Sequence, residues 1–76
     1  MTEVRLLGYI AELLGYRRKQ LQLEEPTELG DILKFPENVD PERIIILVNG
    51  KPATLKHAVE DGDYVVVVVM PVIGGG

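Results

Sequence analysis

Asp61-Gly62-Asp63-Tyr64-Val65-Val66-Val67-Val68-Val69-Met70-Pro71-Val72-Ile73-Gly74-Gly75-Gly76 is the stretch from which the rest of the chain can be read. A glycine between two aspartates marks a turn. The run from Tyr64 to Met70 is then the strongest strand signal in the sequence. Side chains alternate across a sheet, so Val65, Val67 and Val69 point one way and Tyr64, Val66, Val68 and Met70 the other. An all-apolar strand therefore puts apolar surface on both faces, and one helix covers only one of them. Leu7 on the first strand and Val69 on this one are expected to form part of an exposed apolar patch that binds partner proteins.

Three consecutive glycines arise at a given site with a probability of roughly 0.07 cubed, taking glycine at about 7% of residues. A terminal carboxylate that must reach another protein's active site through a narrow slot needs this composition, because any Cβ would collide there and the backbone needs free φ and ψ. The competing reading is a frayed end or an appended remnant.

Moving toward the N-terminus, Ile44-Ile45-Ile46-Leu47-Val48 is a continuous β-favouring run ended by Asn49-Gly50, a dipeptide that marks a tight turn. It is expected to be a strand buried on both faces, with a short edge strand from Ala53 to Leu55 beyond Pro52. The beginning of the chain shows a strand around Val4, Leu6 and Leu7. Apolar positions at 10, 13 and 14 then give one helical face, with Gly15 placed as its C-terminal glycine. Leu21 and Leu23 alternate with Gln20, Gln22 and Glu24, the period of a half-buried strand closed by Pro26. Thr27 is placed to cap a second helix carrying Leu29, Ile32 and Leu33 on one face, with Glu28 and Asp31 in its first turn and Pro36 ending it. Residues 35–43 read as a loop with one helical turn. The pattern as a whole predicts an α+β fold, a mixed sheet packed by one main helix.

The 76 residues suffice for one domain, and such a chain buries only about 60% of the surface its unfolded form exposes. Apolar residues make up 46% of it but aromatics 5%, with no Trp, so the core must be aliphatic. The absence of cysteine removes disulfides and thiol nucleophiles. A net charge of −4 argues against nucleic acid, which draws on a concentrated positive face. The basic cluster Arg17-Arg18-Lys19 reads as a solvated turn or a minor contact with an acidic partner. No secretory signal is visible and Val65–Val69 is too short to span a bilayer, so no membrane association and a soluble, cytoplasmic protein are expected. One histidine, His57, does not make a metal site, and no nucleophile, base and orienting group assemble.

The Gly-Asp turn, the last strand and Met70-Pro71-Val72-Ile73-Gly74-Gly75 resemble the C-terminal signature of the small subunit of molybdopterin synthase and its sulfur-carrier relatives, the thiamine-pathway carrier among them. Val4-Arg5-Leu6-Leu7-Gly8, Ile10-Ala11-Glu12-Leu13-Leu14-Gly15 and Val48-Asn49-Gly50 extend the resemblance over nearly the whole chain. It implies a β-grasp, ubiquitin-like domain over residues 1–72 and a flexible glycine tail over 73–76. It also implies a carrier that is not itself an enzyme and holds no bound cofactor. An E1-like adenylating enzyme would use ATP to convert the terminal glycine carboxylate to an acyl-adenylate, and persulfide sulfur would turn that into a thiocarboxylate. The thiocarboxylate would donate sulfur to a pterin precursor within a synthase completed by a larger subunit, as an elongated heterotetramer with a carrier at each end. Pro71, Val72, Ile73 and Gly74 would contact the partner together with Leu7 and Val69. By register Gly75 falls on the family's usual terminus and Gly76 is one residue more, so the tail either works one residue longer or is trimmed first. The resemblance equally allows transfer of the tail to a lysine of another protein, or a carrier for thiamine or tRNA thiolation.

Overall fold

In the computed structural model, residues 1–37 and 39–70 are described. Two runs meet at the centre. β1 (Thr2–Leu7) lies parallel to β7 (Tyr64–Val69), and β7 lies antiparallel to β4 (Ile44–Val48) on its other side. β2 (Arg18–Leu21) pairs with β1 at one edge, and β5 (Lys51–Ala53) pairs with β4 at the other, giving the order β2-β1-β7-β4-β5. A second, two-stranded sheet joins β3 (Thr27–Glu28) to β6 (Ala58–Val59). The expected mixed sheet of an α+β, β-grasp domain is present.

Register explains the core. Val4, Val65 and Val48 stand in one row across the three central strands, and Leu6, Val67 and Ile46 in the next. All six are buried, and they form one apolar cluster with Ile10, Ala11, Leu29, Leu33 and Val59. Ile10 and Ala11 come from α1 (Tyr9–Leu14), which ends as its sequence dictates: Gly15 adopts φ 85° and its N–H donates to the Ala11 carbonyl at 3.0 Å. Buried Thr2 satisfies its hydroxyl by donating to the Glu60 carbonyl at 3.1 Å.

The second helix departs from expectation. Thr27 caps nothing; it belongs to β3, and its hydroxyl donates to the Glu25 carbonyl. Only Leu29–Ile32 is helical (α2), with Leu33 extended after it. Pairing of Thr27 with Val59 and Glu28 with Ala58 takes the backbone groups that a longer helix would have used. At Gly30 the chain passes so close to Leu55 that an added Cβ would sit 3.3 Å from its carbonyl oxygen. The edge strand forms at Lys51–Ala53 rather than at Ala53–Leu55, because the Asn49-Gly50 turn folds the chain back directly onto β4.

β4 is not buried on both faces. Ile46 and Val48 face the core, while Ile45 is 40% exposed and Leu47 half-buried, since among the described residues no layer covers the other side of the sheet.

Candidate functional site

The uncovered face is the principal surface feature. β1, β7 and β4 place Leu7, Val68 and Ile45 side by side in register, with Arg5, Val66 and Leu47 in the row before them. Leu7 is 45% exposed. Tyr64 and Met70 add exposed apolar surface at the two ends of β7. Apolar surface gathered on one sheet face, flanked by Glu3, Arg5 and Arg18, has the composition of a protein-binding patch.

Val69 is not part of that row. It is half-buried, packs on the core side opposite Ile44, and so points away from Leu7. Strand alternation forbids the single patch expected of Leu7 and Val69, because residues 68 and 69 face opposite sides. The sequence reading did not name Ile45, Leu47, Val66 and Val68 as companions of Leu7. The signal was in the two all-apolar strands, which one aliphatic layer of a 76-residue chain cannot cover on both sides.

At the opposite end of β7 a hydrogen-bond clamp fixes where the strand starts. Asn49, at φ 53°, donates through its side-chain amide to Asp63 at 2.9 Å and accepts from the Tyr64 N–H at 3.0 Å. The Asp63 carboxylate also accepts from the Glu60 N–H at 2.9 Å. That backbone donor, followed by the Asn49 amide, holds the Asp63 carboxyl below the usual carboxylate range. Asp61 accepts from the Leu23 N–H and from the N-terminal amine. These carboxylates therefore set the turn and form no acid–base pair. Burial pushes the Tyr16 hydroxyl upward, and its ring lies under the Lys19 ammonium at 5.4 Å. Among the described residues no group of His, Asp and Glu could hold a metal, and no helix is long and apolar enough to cross a membrane. His57 is exposed, and its carbonyl serves the Leu29 N–H.

β1 and β7 run parallel, so the chain leaves β7 at the same end of the sheet as Leu7 and Gly8. Pro71, Val72, Ile73, Gly74, Gly75 and Gly76 lie outside the described residues. The sequence from Val4 through that segment, residues 4–76, matches the ThiS family. The chain belongs to the ThiS family. ThiS-family proteins are ubiquitin-like sulfur carriers. SAMP1 from Haloferax volcanii is similar in structure, with a TM-score of 0.70 and 25% identity over 97% of this chain and 98% of its own. A Pyrococcus furiosus protein described as a molybdopterin converting factor, subunit 1, shares the fold at TM-score 0.70 and 24% identity, covering 92% of this chain and 97% of that one. A second structure of H. volcanii small archaeal modifier protein 1 gives 0.67 and 20% over 92% and 97%. No curated protein sequence matches. In ThiS terms the described domain is the carrier body.

Proposed function

We propose that this ThiS-family chain is a sulfur carrier for molybdopterin assembly, acting through its C-terminal glycine carboxylate. The observation that supports this most is the direct continuation of β7, a central strand of the sheet, into Pro71-Val72-Ile73-Gly74-Gly75-Gly76. A strand held on both sides is a rigid base from which a narrow tail extends into a partner.

A carboxylate is a poor electrophile, since its charge is delocalised over two oxygens. Its oxygen attacks the α-phosphate of ATP in an E1-like enzyme, releasing pyrophosphate and forming a mixed anhydride. A persulfide sulfur then attacks the carbonyl and expels AMP. A second thiol reduces the remaining S–S bond, leaving a thiocarboxylate on the carrier and a disulfide on the donor. The chain contributes the acyl terminus and the docking surface, and the partners contribute the acids, bases and thiols, since it has no cysteine of its own. The reacting carboxylate is that of Gly76, or of Gly75 after trimming. Pro71, Val72, Ile73 and Gly74 contact the partner along its passage, Leu7 contacts it from the uncovered face, and Val69 supports the root of the tail. The larger subunit of the synthase is the final acceptor's host.

The likeness to small archaeal modifier protein 1 favours one alternative, transfer of the same adenylated tail to a lysine amine as an isopeptide. Intact-mass analysis of protein taken from its native cell separates the two. A mass gain of one oxygen-to-sulfur exchange at the terminus supports the carrier. Lysines of other proteins bearing a glycine remnant, with no sulfur at the terminus, support the modifier.

A further inference from the structure

Arg5 on β1 and Arg18 on β2 are direct cross-strand partners. Like charges so placed are destabilising unless a counter-charge sits between them. One carboxylate answers both: Glu3 lies 2.9 Å from Arg18 and 3.7 Å from Arg5. Arg17 is the next residue along, is exposed, and makes no ion pair among the described residues. All three arginines line one open recess together with Leu7, Gly8 and Glu12. Three of the eight basic residues thus gather at one corner of a chain whose net charge is −4. That corner adjoins Leu7 on the uncovered face and lies at the end of the sheet where β7 exits.

We infer that this recess is an ionic anchor for the activating partner, which presents an acidic segment with a carboxylate beside an apolar side chain. The carboxylate pairs with Arg17, next to the Arg18 that Glu3 already holds, and the apolar side chain lies on Leu7. Guanidinium forks suit this, because each can take a carboxylate through two parallel bonds. The anchor's identity as an E1-like contact rests on the function proposed above. Such contacts act on encounter rate and partner choice, and they weaken with salt.

The test is binding of the full chain to the purified E1-like enzyme of the same cell without ATP, which separates docking from adenylation. Arg17→Glu and the milder Arg17→Gln are compared with Lys56→Glu, a surface change away from the recess. The expected result is a rise in Kd of about tenfold or more for Arg17→Glu, a smaller rise for Arg17→Gln, and a flatter salt dependence in both. Lys56→Glu binds like the unaltered chain, and amide shifts on binding centre on Leu7, Gly8 and Arg17. Unaltered affinity in both Arg17 variants overturns the anchor, as does failure of the enzyme to bind the unaltered chain at all. Binding that depends on Arg17 without subsequent adenylation keeps the anchor and refutes the carrier function.

Discussion

Asp63 shows how a single side chain can set the frame of the molecule. Its carboxylate takes two N–H donors, from Glu60 and Asn49, while its carbonyl accepts from Glu3, so three segments meet at the first residues of β7. Because the carboxyl is held below its usual range, the stabilisation is present in full above the unfolded-state pKa and is lost as pH falls through the lower folded-state value. Asp63→Ala should cost about 1 kcal/mol at neutral pH, the worth of a charged hydrogen bond discounted for solvent screening. In a domain of this size that is a fall in Tm of about 4–8 °C. Melting curves of both proteins down the acid range should converge as Asp63 protonates. A gap that stays constant into acid would show that the carboxylate's charge is not what the clamp uses.

The strands divide into two sides, and substitutions should divide with them. Val67 is fully buried between Leu6 and Ile46, so Val67→Ala should destabilise by about 2 kcal/mol through lost burial and a residual cavity. Val68, one residue on, faces the uncovered side. Val68→Asp should cost about 1 kcal/mol or less in denaturant unfolding yet abolish partner binding. Loss of folding in Val68→Asp would mean that the outer face is internal. Val69→Asp would not separate docking from folding, because Val69 packs against the core. The same division shows what was legible beforehand. β4 and α1 lie where their local patterns placed them, since an aliphatic, mostly β-branched run before Asn-Gly and an apolar helical face before Gly15 are complete local instructions. β2 covers Arg18–Leu21 rather than Leu21 and Leu23, because its register is set by β1. Thr27 and Glu28 form a strand because they pair with residues thirty or more positions away, and no local pattern reports such a partner. The exposure of Leu7 was foreshadowed by an excess of apolar strand, but its neighbours on that face depended on register between strands far apart in sequence.

As a whole the molecule is a ThiS-family carrier body with its two sheet edges guarded and one sheet face open. Charged Arg18 and Lys19 occupy one edge strand and Lys51-Pro52 the other, which discourages strand-to-strand association and leaves the face for partners. Leu7, Val68 and Ile45 and the basic corner beside them lie toward the end where β7 exits, which fits the proposal that a single partner grips the body while it acts on the terminus. The proposed reacting group is the terminal glycine carboxylate. The most direct measurement is ATP-dependent exchange of labelled pyrophosphate by the E1-like enzyme, with the full chain and with one lacking Gly75 and Gly76. Exchange with the full chain and none with the shortened one is the predicted result. Equal exchange by both would contradict it.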